Sequence, residues 1–328
     1  MTNILMLIPD RGDATSFYRA IAPFHALRRK GCLQLHYAKT VDWTLLVGSD
    51  VAFLQRPHTP EHLAVAKLVK QWNVPLWIDY DDLLAELTPW NSQFIRYRDP
   101  VIQNATDQLG QLADVVTVST DTLKGELAGR GWDPGKIEVV PNALLDSLVP
   151  RARPYSGNPT LVWRGNESQN ADLQAFGSEI VNFSRAHPDY SLEFWGHNPW
   201  TISNEVIVTV RPIQPLGDYL DTLCQVNPAL VIKPLLDCPF NRCKSNIAWI
   251  EATLAGAVCV GPCWDGWLQT GALTYGGPGD FGRVLEMALD PATARQMHRI
   301  SWEQITGNLL LSQVNGLREK ILDSLLNP

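Results

Sequence analysis

Short apolar runs alternate with stretches of helical spacing along most of the chain. "NILMLIP" is a continuous apolar run closed by Pro9, the pattern of a parallel strand buried on both faces. "SFYRAIAPFHALRRKG" has helical spacing, basic residues in its last turn and Gly31 as a stop. "TLLVGS" and "VAFLQ" are further apolar runs. "TPEHLAVAKLVKQWN" predicts a helix with Thr59 as N-cap and Pro60 at its first position. "VPLWIDYDD" reads as a buried strand ending in acids. "ADVVTVST" is the next strand, with Ser119 to Asp121 opening the helix "DTLKGELAGRG", and "KIEVVPN" closes this half.

Residues 147–159, "SLVPRARPYSGNP", carry three prolines, a glycine and little periodicity, which marks a linker. The alternation then restarts. "TLVWRG", "SLEFWG", "PALVIKPL" and "VCVGP" predict strands. "NADLQAFGSEIVNFSRAH", "LGDYLDTLCQV" and "NIAWIEATLAGA" predict helices, and helices dominate from Asp280 onward. Two successive strand–helix halves predict an α/β protein of two Rossmann-like, doubly wound domains, 1–148 and 160–300, joined by a linker at 149–159. Such domains bind ligands outside the carboxyl ends of their strands.

Composition supports this picture. At 328 residues, two domains are the default. Hydrophobic content of 45% and charged content of 19% belong to a globular chain. A formal charge of −7 argues against a general nucleic-acid binder, though not against a local basic groove. No apolar run reaches the length of a membrane span. "MTNILMLIPDRGD" reads as a first strand rather than a secretion signal, so the cytoplasm is the expected compartment. The six cysteines, Cys32, Cys224, Cys238, Cys243, Cys259 and Cys263, form no C-x-x-C and are expected to be buried or incidental thiols, not metal ligands or disulfides.

Three motif matches carry little. "HTPEH", His58 to His62, fits a zinc-protease pattern, but Pro60 places a helix start between the histidines. "GPGDFG", Gly277 to Gly282, fits G-x-G-x-x-G, yet it contains Pro278 and lacks the strand and acid of a dinucleotide site. No G-x-x-x-x-G-K-[ST] is present. The cluster "WIDYDDLL" is more informative. Asp79, Asp81 and Asp82 fall at the carboxyl end of a predicted strand, and three carboxylates so close need solvent, donors or a cation. They form a solvated turn with Asp82 capping the next helix, a cleft where Asp79 or Asp81 holds sugar or acceptor hydroxyls, or a divalent metal site.

Arg164 and Gly165 follow the first strand of the second half. Glycine permits close backbone approach, and the arginine is either a surface residue or a fork of donors for a phosphate. Lys233 ends another strand on the same side, where an anion would offset its burial. In "FNRCKSNIAWIEATLAGAVCVG", a helix running from Lys244 would place Lys244, Ala248, Glu251 and Ala255 on one stripe. Lys244 and Ser245 at its entrance suit a diphosphate. Glu251, two turns on and roughly 10 Å along the axis, suits a ribose. A capped amphipathic helix with a solvated glutamate is the plainer alternative.

These residues resemble the GT-B glycosyltransferases, in particular retaining, family 4-like enzymes. "PFNRCKSNIAWIEATLAGAVCVG" is similar to that family's diphosphate- and ribose-binding segment. "VVPNALLD" is similar to V-x-x-[VI]-P-N-G-[VI]-D, and "ADVVTVST" to the strand before it. "GDATSFYRAIAPFHALRRKG" resembles the first, acceptor-facing loop and helix. The ordered matches span nearly the whole chain. The resemblance implies two domains facing a cleft and a last helix, within 301–328, that crosses back to the N-terminal domain. It implies a nucleoside-diphosphate sugar as donor, a UDP-sugar above others, with no metal or other cofactor required. The acceptor would be a glycan, a small molecule or modified DNA.

By this resemblance Glu251 binds ribose. Lys244 and Ser245 bind the diphosphate with Arg164, Gly165 and Lys233, alongside Asn241 and Asn246 of the same segment. Asp79, Asp81 and Lys244 are the catalytic candidates, and Gly12, Ser16, Tyr18 and Arg19 face the acceptor. The sequence also departs from the family. Cys243 stands where the first glutamate of E-x7-E is expected, a lysine–serine form associated with a divergent subgroup that includes phage and bacterial surface-sugar enzymes. The first loop has Gly12 without a second glycine, and the linker reads Pro-Asn-Ala. Two other readings follow from these features. The missing glutamate fits a degenerate module that binds a nucleotide or glycan without turnover. Arg96, Tyr97 and Arg98 in "FIRYRDP" fit a transferase acting on DNA bases, or a solvated loop.

Overall fold

The computed structural model describes residues 1–10, 12–31, 33–38, 43–268 and 270–327. Two six-stranded parallel sheets form it. The first contains β1 (Thr2–Leu7), β2 (Leu33–Ala38), β3 (Val51–Gln55), β4 (Leu76–Tyr80), β5 (Val115–Val118) and β6 (Ile137–Val139), in the order β2-β1-β3-β4-β5-β6. The second contains β7 (Asn158–Arg164), β8 (Ser191–Trp195), β9 (Thr209–Arg211), β10 (Pro228–Ile232), β11 (Val258–Pro262) and β12 (Leu273–Tyr275), in the order β12-β11-β10-β7-β8-β9. All pairings within both sheets are parallel. The central strands β3, β4, β5, β10 and β11 are buried at every position, which is why they read as unbroken apolar runs.

Strands absent from the sequence reading lie at sheet edges. β2 is half-exposed over most of its length, and β9 and β12 have three residues each. An edge strand is covered on fewer sides and needs no continuous apolar run. The helix Pro100–Leu112 was likewise not anticipated, and "TLLVGS" forms the helix Trp43–Val47 instead of extending the strand pattern. "NADLQAFGSEIVNFSRAH" splits into Asn170–Ala175 and Gly177–Ala186.

The crossing back to the first sheet occurs later than 301. Helix Pro291–Asn308 stays with the second sheet, and the chain then breaks at Leu309 and Leu310. The Leu144 N–H donates to the Leu309 carbonyl, and the Leu311 N–H donates to the Leu144 carbonyl, both at 2.8 Å. These bonds tie the outgoing and returning segments together. Helix Leu311–Leu326 then buries Val314, Ile321, Leu322 and Leu325 against Ile4, Met6, Phe24 and Leu27. No described helix is long and apolar enough to cross a membrane.

The returning helix is therefore part of the N-terminal core. Leu322→Ala is expected to destabilise that domain by about 2–4 kcal/mol, the usual range for a buried leucine truncation. A lower urea midpoint, followed by circular dichroism, checks this; an unchanged midpoint would show that the helix adds no stability.

Candidate functional site

Each sheet has one place where successive connections leave in opposite directions, between β1 and β3 in the first and between β7 and β10 in the second. Open parallel sheets bind ligands at such points, outside the carboxyl ends. A cavity of about 370 Å³ lies between the two sets of strand ends. Arg56 after β3, Asp81 and Asp82 after β4, and Arg19 from the helix after β1 line one wall. Arg164, Gly165, Gly196, Lys233, Lys244, Ser245 and Glu251 line the other.

On the second wall, Arg164 is the last residue of β7. Its guanidinium lies 4.0 Å from the Tyr219 ring centroid and 3.6 Å from Glu251 Oε2. Burial opposes its charge, but Glu251 holds its pKa above the ordinary arginine value. Lys233 follows β10 and donates to Gln169 Oε1 at 2.8 Å. Burial, with Lys244 and Arg164 nearby, pushes its pKa down to about 7. Lys244 Nζ lies 4.6 Å from the Phe240 ring centroid. Gly165 has no room for a side chain, since a Cβ would stand 2.3 Å from the Trp163 ring and 2.6 Å from Gln169 Oε1. Gly196, at φ +95°, has the Gly165 carbonyl 2.4 Å from where its Cβ would lie. The two loops therefore close together only as glycines.

The single helix expected from Lys244 does not form. A short helix, Pro239–Arg242, ends before the non-helical residues Lys244, Ser245 and Asn246, and the next helix is Ile247–Leu254. The first domain holds this break. Asn142 Nδ2 donates to Ser245 Oγ at 2.8 Å, and Thr120 Oγ1 donates to the Cys243 carbonyl at 3.0 Å. Glu251 thus lies one turn from the helix start, roughly 6 Å along the axis, not two turns from Lys244. Two candidates of this segment do not line the cavity. Asn241 is buried and donates to Asp172 Oδ1 and the Leu236 carbonyl, while Asn246 donates to the Gly266 carbonyl. Both brace loops. Cys243 is fully buried and packs into the core of the first domain, where burial pushes its thiol up to about 12.

Glu251 itself is 4% exposed. Oε1 accepts from the Tyr18 hydroxyl at 3.0 Å, and Oε2 accepts from the Tyr219 hydroxyl at 3.1 Å. It is not a solvated surface glutamate. Tyr18 belongs to the first domain, so the expected ribose ligand is bridged across the cleft by an expected acceptor residue. Tyr18 and Arg19 sit in a π-helical turn, Phe17–Ile21, a local widening that the sequence pattern did not reveal.

The acidic cluster divides three ways. Asp79, 1% exposed, lies inside β4 and does not face the cavity. Its two oxygens accept from Arg19 Nη2 at 2.6 Å and Nε at 3.1 Å, and Thr117 Oγ1 adds a bond at 2.6 Å. The expectation that Asp79 holds a substrate hydroxyl is corrected accordingly: its carboxylate is committed to Arg19. Asp81 lines the cavity but is held by a two-bond fork from Arg56. Asp82 Oδ2 meets Arg56 Nη2 at 3.0 Å, and its Oδ1 bonds to no described residue. Burial and Asp81 raise the Asp82 pKa, while Arg56, Lys244 and Lys233 pull it back. Asp82 is therefore a cavity carboxylate, not a helix cap. Arg56, which organises the pair, drew no notice in the sequence because it sits alone after an apolar strand.

Ser16 is buried and does not line the cavity, and Gly12 borders a separate cavity with Phe17, Leu148 and Leu220. Neither faces the cleft as expected. Thr59 caps the helix Pro60–Gln71, and His62 Nδ1 accepts the N–H groups of His58 and Thr59, so "HTPEH" is a helix entrance. "GPGDFG" opens the helix Pro278–Leu289. Among the described residues no group of three His, Cys, Asp or Glu is placed to hold a metal ion. Five cysteines are free thiols, and Cys32 lies outside the described residues. Arg98 pairs with Glu86, and Arg96 meets His58 Nε2 at 3.1 Å, so the basic–aromatic patch is engaged within the protein.

Comparison with family models finds no match, nor does comparison of the sequence with curated proteins. Solved structures match over the whole chain. Sucrose-phosphate synthase from Thermosynechococcus elongatus superimposes with a TM-score of 0.74 at 13% identity, covering 99% of both chains. HepE from Anabaena, in complex with UDP and glucose, gives 0.68 at 12% identity over 99% of this chain and 100% of that one. UDP-GlcNAc 2-epimerase from Neisseria meningitidis, bound to UDP-GlcNAc, gives 0.60 at 12% identity over 100% of both. At such identities the likeness is one of fold. With two parallel α/β domains whose strand ends face one cleft, the chain has the GT-B fold.

Proposed function

We propose that this protein is a glycosyltransferase that takes a sugar from a nucleoside-diphosphate sugar, a UDP-sugar above others, and passes it to an acceptor held at the first domain's wall. One observation carries the reading: Arg164, Lys233 and Lys244 converge on a single cavity beside the buried carboxylate Glu251. Three cations around a cavity suit a diphosphate, and a buried carboxylate beside them suits sugar hydroxyls.

In this reading the bond between the anomeric carbon and the diphosphate oxygen breaks, and an acceptor hydroxyl oxygen takes its place. The acceptor's proton leaves with the diphosphate. Charge growing on the leaving group is met by cations already in position, so little reorganisation is needed. These cations supply the neutralisation that a divalent metal supplies elsewhere. Asp82, which lines the cavity and whose Oδ1 bonds to no described residue, is placed to hold an acceptor hydroxyl, and Arg56 with Asp81 fixes its position. Retention of anomeric configuration accords with the resemblance to family 4-like enzymes.

Incubation with UDP-, GDP-, ADP- and dTDP-sugars is expected to show slow donor hydrolysis with one of them. Lys244→Ala should weaken binding of that donor by about tenfold or more, the loss of one hydrogen bond to a charged group. Calorimetric titration checks this. Wild-type affinity in both Lys244→Ala and Glu251→Ala would refute the site. An epimerised donor would instead indicate an epimerase, and binding without turnover on any acceptor a binding module.

Binding should also depend on pH. Burial, with Lys244 and Arg164 nearby, brings the Lys233 pKa down to about 7. A bound diphosphate favours the protonated amine and raises that value. Affinity should therefore be flat with respect to this group below about pH 7 and fall by up to about tenfold per unit above it. UDP titrations between pH 7 and 9 avoid the phosphate ionisation near about 6. Lys233→Met should abolish the slope; a slope that persists would assign it to another group.

A further inference from the structure

Three non-glycine residues among those described have a positive φ. Two are asparagines, Asn73 and Asn227, the residue type that tolerates it, and the third is Arg56, at φ +47°. A residue of this kind keeps such a conformation only where its surroundings impose it. The Arg56 N–H donates to the Asp79 carbonyl at 2.8 Å, and the Arg56 carbonyl lies 2.8 Å from His58 Nδ1. The Tyr80 hydroxyl donates to the Pro57 carbonyl, and the His58 N–H donates to His62 Nδ1 at 3.1 Å. The motif "HTPEH" thus begins with a brace on the residue that organises Asp81 and Asp82.

His58 is 8% exposed, and both its ring nitrogens are engaged. A carbonyl only accepts, so Nδ1 carries the proton and donates to Arg56. Arg96 Nη2, 3.1 Å from Nε2, only donates, so Nε2 keeps its lone pair. The two partners therefore fix one neutral tautomer. Burial holds the ring below the ordinary histidine pKa, and the charges of Arg96 and Arg56 add to this, while the bond to the Arg56 carbonyl opposes it. The ring packs on Tyr97 at 4.9 Å and on His62 at 5.4 Å between centroids.

What the brace holds is one guanidinium shared by two carboxylates. Arg56 forks to Asp81, and its Nη2 also reaches Asp82 Oδ2 at 3.0 Å. We propose that His58 is a positioning residue for Asp82, acting through the Arg56 carbonyl to hold the backbone turn from which the Arg56 side chain meets both acids. The consequence for turnover rests on the reading that Asp82 holds the acceptor hydroxyl. His58 does not line the donor cavity and is not a catalytic residue.

Two substitutions separate the Nδ1 bond from the bulk of the ring. Asparagine carries an amide N–H where histidine has Nδ1, and glutamine carries one nearer Nε2. His58→Asn therefore keeps the bond to Arg56, and His58→Gln loses it. Neither has an imidazole, so histidine titration does not enter the comparison. The Asp82 carboxyl is followed by carbon-13 NMR titration and assigned by its absence from Asp82→Asn. In His58→Gln the pull of Arg56 weakens, and Asp82 should titrate about one pH unit higher than in His58→Asn. Partial unfolding would move it the other way, toward the ordinary carboxylate value. Turnover is read as hydrolysis of the sugar nucleotide that the wild-type protein hydrolyses, with water in the acceptor's place. His58→Gln should slow it about tenfold or more with UDP affinity within about twofold of wild type, and His58→Asn should stay near the wild-type rate. Equal Asp82 titration in the two variants, or equal loss of rate, would refute the role of His58. If Asp82→Asn hydrolyses the donor as fast as wild type, the acceptor reading of Asp82 fails instead, and the NMR comparison still decides the brace.

Discussion

The buried pair between Arg19 and Asp79 is the interaction on which the cleft depends. Both residues are 1% exposed. A two-bond fork joins the guanidinium to the carboxylate, and Nη1 donates to the Val140 carbonyl and Asn142 Oδ1. Asn142 in turn donates to Ser245 on the opposite wall. Isolated charges at this depth would be prohibitive, and removing one partner of such a pair typically destabilises by about 3–5 kcal/mol. The pair therefore fixes three things together: the end of β4, the segment that follows β6, and the turn that presents Tyr18. Arg318 of the returning helix is also buried close by. Burial and then Arg19 push its pKa down to about 9, while Asp79 offsets part of this. The last helix thus closes the back of the same network.

The two domains exchange residues as well as hydrogen bonds. Cys243 packs into the first domain's core, and Tyr18 and Leu144 pack into the apolar cluster around Trp195, Tyr219 and Trp249. This accounts for the missing glutamate of the family pattern. At position 243 the chain faces the neighbouring domain, not a solvated cleft, and a charge there would be buried without a partner. A small thiol suits that place. The cationic wall of the cavity is instead built from strand ends, with Arg164 and Lys233 beside Lys244.

Much of the fold was legible in the sequence, because the central strands are buried on both faces and the helices carry their own caps. Thr59, Thr120 and the glycine-bounded strand ends announce themselves locally. Edge strands do not, since half-exposed backbone places few demands on side chains. The cavity was legible in part. Arg164, Gly165, Lys233, Lys244, Ser245 and Glu251 all line it, as do Asp81, Tyr18 and Arg19. Asn241, Asn246, Ser16 and Gly12 do not, because nothing in a sequence distinguishes a residue that serves the fold from one that meets a ligand.

What the sequence determined by itself was the alternation of elements, the two-domain plan and the strand ends that carry charge, all consequences of local spacing and burial. Tertiary structure decided which charges are free. Asp79, Asp81 and Asp82 are close to equivalent as letters. They differ because Arg19 and Arg56, 60 and 25 residues away from Asp79 and Asp81, claim the first two almost completely. The same holds for the helix that should have begun at Lys244. Its spacing favours continuity, but Asn142 and Thr120 of the other domain take hold of Ser245 and Cys243, and the chain breaks where those bonds form. Hydrogen bonds between residues distant in sequence can override a local preference worth only tenths of a kcal/mol per residue.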